Sequence, residues 1–102
     1  MNKLIPDVKA KTLDLLRGGT IKKTTGRLIN SQGCRCVLGV IALAGDLSHC
    51  AEGTMDEAGE FNVYEGFKDV GLEHEDCVSL YLKNDLDGLT FHELADHIEA
   101  NL

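Results

Sequence analysis

The chain has 102 residues, 43% of them hydrophobic, and a formal net charge of −7 at neutral pH. That length gives one globular domain, and no stretch approaches the ~20 apolar residues of a membrane span or matches a secretory signal, so a cytoplasmic protein is expected. Its four cysteines are then expected to be free, buried or metal-bound rather than paired in disulfides.

In chain order, the first element is a helix. Pro6 suits a first helical turn, Asp7 favours the positive end of the helix dipole, and Val8, Thr12, Leu13, Leu15 and Leu16 form a stripe near helical spacing. Gly18-Gly19 ends it. The segment from Thr20 to Asn30 is rich in β-branched residues around a Thr-Gly turn and predicts a short β-hairpin with a basic outer face. Ser31-Gln32-Gly33 is a second turn.

The stretch GCRCVLGVIALAG, residues 33–45, follows. Residues 37–44 are apolar on every side apart from Gly39, so they lack the polar face of a surface element. They predict a buried central segment, helix or strand, ended at Gly45-Asp46. Residues 46–62 carry glycines and acids with little periodicity and predict a long, mobile acidic loop. Val63, Phe67 and Val70 then repeat at helical spacing up to Gly71.

Two helices close the chain. Val78, Tyr81, Leu82 and Leu86 mark the first, which Asp87-Gly88 breaks. Thr90 and Glu93 form a capping box for the second, Leu89 can staple to Leu94, and Phe91, Leu94, Ala95, Ile98 and Leu102 line its apolar face. The expected fold class is therefore α+β: a single small domain with an N-terminal helix, a short basic hairpin, a buried central segment and C-terminal helices.

Charge is divided along the chain. Residues 1–45 hold eight Lys or Arg against two acids, whereas residues 46–102 hold two against fifteen. Such a division predicts one anion-seeking and one cation-seeking region, or two halves that neutralise each other across the fold. Arg17, Lys22, Lys23, Arg27 and Arg35 are the candidate anion-binding residues, able to grip a phosphate or nucleotide, with arginine giving bidentate contacts. Glu52, Asp56, Glu57 and Glu60 are the candidate protein-contact residues for a basic partner surface.

Other chemistry matches the spacing less well. Cys34, Cys36, His49, Cys50 and Cys77 could in principle supply zinc ligands, but Cys-x-Cys with an adjacent His-Cys is a poor structural-zinc pattern, and small buried thiols are the competing reading. His92 and His97 stand four residues from Asp96 and Glu93, a helical-face spacing without a third group to complete a catalytic set. No catalytic residue, metal ligand or cofactor is assigned, and the protein is expected not to be an enzyme. Leu89 to Glu99 is similar to the first helix of a helix-turn-helix, but no reading helix follows and the acidic half repels phosphate, so direct DNA binding is not expected.

Three stretches carry a wider resemblance: Leu16-Arg17-Gly18-Gly19, the run from Arg35 to Ala42, and Asn84-Asp85 through Glu99. In that order they resemble a family of small phage and prophage proteins with an "LRSGKY"-like helix end, a glycine-containing hairpin, a "CCLGVLCDL"-like core and an "LNDSGxSFxEIADLIE"-like tail. Where that family has three core cysteines, this chain keeps Cys36 and has Val37 and Ala42. The exchange for aliphatic residues implies that Cys36 packs rather than coordinates.

The resemblance implies a phage-type accessory protein in the host-cell cytoplasm. The expected function is non-catalytic binding of a host component, as an anti-defence inhibitor covering a basic host surface or as a sponge for a small anionic signal nucleotide. A DNA-associated transcriptional regulator and a zinc-stabilised interaction module are the alternatives, and homo-oligomers are compatible with each.

Overall fold

The computed structural model describes residues 3–25, 32–46 and 67–102. Among these the regular elements are α1 (Pro6–Gly18), α2 (Val37–Ala44), a 3-10 turn (Phe67–Val70), α3 (His74–Asp85) and α4 (Phe91–Asn101). No strand occurs among them, so the architecture is helical and not α+β.

The expected hairpin is what fails. Lys23 forms one isolated parallel bridge with Arg35, through Thr24 N–H to Arg35 O (2.9 Å) and Arg35 N–H to Lys22 O (2.8 Å). The partner of this bridge is the segment leading into α2, where helix begins two residues after Arg35. Residues 26–31, the expected turn and return, lie outside the described residues, as do residues 47–62 of the expected loop and Val63.

Helix α1 starts with Pro6, carries Asp7 in its first turn and stops at Gly19, whose φ of 74° is the left-handed cap. Thr12 and Leu16 are its buried residues, and it packs against both α2 and α4. The Thr12 hydroxyl has no hydrogen-bond partner among the described residues.

Helix α2 is the centre of the fold. Seven of its eight residues are buried, with Leu43 alone facing out. Too short to form on propensity alone, it is held by what surrounds it. An apolar helix has no side chain to spare for its own cap, and Cys36 at the N-cap makes no side-chain bond. The missing acceptor comes from another helix: the Oδ1 of Asn84 accepts the Val37 N–H at 3.1 Å.

Asn84 also explains a second difference. Helix α3 buries Cys77, Leu80 and Asn84, while Val78 and Tyr81 are half-buried and Leu82 and Leu86 are exposed. Of the four apolar residues that mark this helix in the sequence, Val78 and Tyr81 pack partly against the core, while Leu82 and Leu86 turn away from it. A buried amide at position 84 outweighs two leucines because α2 needs its oxygen.

Helix α4 follows expectation. Thr90 Oγ1 accepts from Glu93 N–H at 3.2 Å, and Glu93 Oε1 accepts from Thr90 N–H at 3.0 Å. Phe91, Leu94, Ala95, Ile98 and Leu102 are buried, with Leu89 packed partly against the core. The start of the chain is strapped to its end: Leu4 N–H donates to Leu102 O (2.8 Å) and Ile5 N–H to Val70 O (3.0 Å).

Candidate functional site

The structure separates the five candidate anion-binding residues. Arg17, in the last turn of α1, is forked between two carboxylates of α4, donating to Asp96 Oδ1 at 3.0 Å and Glu99 Oε2 at 3.2 Å. Asp96 and Glu99 stand three positions apart and so share a helical face. Those bonds hold the guanidinium pKa above its ordinary value.

Lys23 and Arg35 meet at the bridge, where each is bonded to backbone. Lys23 Nζ donates to Asn84 O at 2.9 Å and Arg35 Nη1 to Gly39 O at 3.0 Å. Both are half-buried. Lys22 next to them is exposed, and Arg27 lies outside the described residues.

Two further cations of the N-terminal half follow the same pattern, while Lys11 is exposed. Lys3 Nζ pairs with Asp76 Oδ1 at 2.9 Å, a hydrogen bond that raises its pKa. Lys9 Nζ donates to Glu99 O at 3.1 Å. The basic half of the sequence thus leans on the acidic half within one molecule.

Asn84 joins these pieces from the inside. Its Nδ2 donates to Thr24 O at 3.0 Å and to Asp85 Oδ1 at 2.6 Å, while its backbone carbonyl takes the Lys23 ammonium. One buried amide thus ties the extended basic segment to α3 and to the start of α2. Sequence reasoning did not single out Asn84, and a lone Asn at a helix end gives no signal for it.

Acidic side chains dominate what remains outside. Asp69, Glu73, Glu75, Asp87, Glu93, Asp96 and Glu99 are all exposed. Glu52, Asp56, Glu57 and Glu60 lie outside the described residues, so the acidic surface seen here comes from residues that were not named as contacts.

Among the described residues the cysteines and histidines do not gather into one cluster. Cys36 is buried, and burial raises its thiol pKa to about 11, keeping it protonated and unreactive near neutral pH. Cys77 is buried and Cys34 half-buried. Among the described residues no three His, Cys, Asp or Glu side chains gather where a metal could be held; His49 and Cys50 lie outside them. His92 is exposed, and the His97 ring is bonded to Asn101 (Nδ1 to Nδ2, 3.2 Å). Burial and the nearby Lys83 lower the His97 pKa from 6.5.

No protein-family model, curated protein or solved structure matches this chain. No helix among the described residues is long and apolar enough to cross a membrane.

Proposed function

We propose that this protein is a non-catalytic, phage-type accessory protein that binds a host protein by laying its acidic surface over a basic one. The phage assignment rests on the sequence resemblance. The binding mode is supported by one structural observation: five cations of the N-terminal half, Lys3, Lys9, Arg17, Lys23 and Arg35, are engaged within the chain, at Asp76, Asp96, Glu99 and the Asn84 and Gly39 carbonyls, while Asp69, Glu73, Glu75 and Asp87 are exposed. Inhibition of a nucleic-acid-binding host protein is the activity that such a surface would give, because it competes with phosphate for the same cations.

A nucleotide sponge draws less support. It would use Arg17, Lys23 and Arg35, each of which would have to leave an internal partner. The test compares two variants for capture of host proteins on the immobilised protein. One is Lys22→Glu/Arg27→Glu. The other carries Asp69→Asn, Glu75→Gln and Asp87→Asn together with neutralised Glu52, Asp56, Glu57 and Glu60.

The expected result is one basic host protein retained at low salt, released as salt rises, kept by the first variant and lost by the second. Retention by the acid-neutralised variant, or loss with Lys22→Glu/Arg27→Glu alone, overturns the reading.

A further inference from the structure

Helices α3 and α4 and the start of the chain meet at a small cavity of about 170 Å³, whose lining includes Lys3, Asp76, His97, Asn101 and Leu102. The strap between the chain ends runs beside it. Leu4 N–H donates to Leu102 O at 2.8 Å, and Lys3 Nζ pairs with Asp76 Oδ1 at 2.9 Å.

At this seam the protonation state of His97 is set by Asn101. Asn101 Nδ2 donates to the His97 backbone oxygen at 2.9 Å, and that oxygen can only accept, so the amide nitrogen faces the ring's side of the turn. The same nitrogen lies 3.2 Å from His97 Nδ1. Nδ1 is therefore an acceptor, and the neutral ring carries its proton on Nε2. A proton added at Nδ1 sets donor against donor. Turning the amide over gives no relief, because its oxygen would then face the His97 carbonyl. Protonation thus costs Asn101 both bonds together.

The charged groups around the ring offer a positive charge no free partner. Burial disfavours it, and so does Lys83 on α3. Across the cavity Asp76 is held by Lys3, so an imidazolium there competes with the strap's own ion pair. On α4, Glu93 one turn earlier accepts from Thr90 N–H at 3.0 Å, and Asp96 pairs with Arg17 at 3.0 Å. The Leu102 oxygen is taken by Leu4.

We infer that His97 and Asn101 form an acid-released latch on the strap: protonation of the ring at Nδ1 expels the Asn101 amide from the last turn of α4, and that turn lets go of Leu4. An opened end takes up the proton more readily than a latched one, so opening becomes easier as pH falls below about 6.5. The opening is confined to the chain ends, because Phe91, Leu94 and Ile98 stay packed in the core.

Two measurements test this on the wild type, His97→Gln and Asn101→Ala. Imidazole nitrogen shifts by NMR report the tautomer. Amide hydrogen exchange, expressed as protection over the unstructured rate, compares Leu4 with Leu94, whose N–H donates to Thr90 O at 2.9 Å. Neutral His97 should carry its proton on Nε2. In the wild type, Leu4 protection should fall at least about threefold between about pH 7.5 and 5. Leu4 exchange should also ignore low denaturant, the mark of local opening, whereas Leu94 exchange should follow it. His97→Gln should abolish the fall with pH, and Asn101→Ala should leave Leu4 poorly protected at both ends of the range.

A proton on Nδ1, wild-type Leu4 protection that is independent of pH, or Leu4 exchange with the denaturant dependence of Leu94 overturns the inference. Each of these is read without a variant. A fall that persists in His97→Gln, or wild-type protection in Asn101→Ala, overturns it as well.

Discussion

Gly71 leaves the 3-10 turn at a φ of 98°, and a Cβ there would run into the carbonyl of Lys3, the residue just before the strap at Leu4 and Ile5. Both the backbone angle and the close approach require glycine. Gly71→Ala is expected to lower the unfolding free energy by about 2 kcal/mol or more, read from the denaturant midpoint. A neutral result would show that the strap can shift. Thr12 gives the opposite sign. Its buried hydroxyl is unpartnered among the described residues, so Thr12→Val should stabilise by about 1 kcal/mol, and a loss of stability would reveal a hidden partner for Oγ1. His97 supplies the pH dependence. Its folded pKa lies below 6.5, so the unfolded chain takes up the proton first and stability falls as pH drops below about 6.5. His97→Gln should therefore flatten the melting temperature between pH 7.5 and 5.5. An unchanged slope in that variant would remove His97 as its source.

At the scale of elements, α4 is the most self-sufficient. Its capping box is local, and its apolar face repeats at helical spacing. Leu94 is fully buried, so Leu94→Ala should cost about 2–5 kcal/mol, while Thr90→Ala should cost about 1 kcal/mol through the cap. Unfolding midpoints for the pair check the order; a larger effect at Thr90 would place Leu94 outside the core. The same local logic made α1 legible, since Pro6, Asp7 and Gly19 act within their own turns. It was silent on the inward face of α3, which Cys77, Leu80 and Asn84 fill, and it misled at the basic segment, where β-branched residues suggested a hairpin. In both places the decisive partner is remote: the Val37 N–H for Asn84, and Arg35 for Lys23.

Across the whole molecule, the charge division folds back on itself. Arg17 bridges α1 and α4 through Asp96 and Glu99, and Lys3 reaches Asp76 on α3. Arg17→Glu should therefore lower the melting temperature, because it sets a third carboxylate against that pair, whereas Lys22→Glu on an exposed side chain should leave it nearly unchanged. The Arg17→Glu effect should shrink at high salt. Equal melting temperatures for the two variants would show that the fork at Arg17 contributes nothing measurable.

The sequence by itself determined the helix ends at Pro6 and Gly19, the cap at Thr90 and Glu93, the burial of residues 37–44 apart from Leu43, and the inward face of α4. Each of these depends on neighbours within a turn or on hydrophobicity alone. Whether the central run is helix, which face of α3 turns inward, where the basic segment pairs and which acids answer which cations were decided only in the tertiary structure. The reason is that α2 lacks a cap of its own and takes it from Asn84, 47 positions away. That one bond fixes the rotation of α3, brings Thr24 and Lys23 to its end and leaves Leu82 and Leu86 outside. A polar atom in the core is placed by the partner it must satisfy, and that partner is not adjacent in the chain.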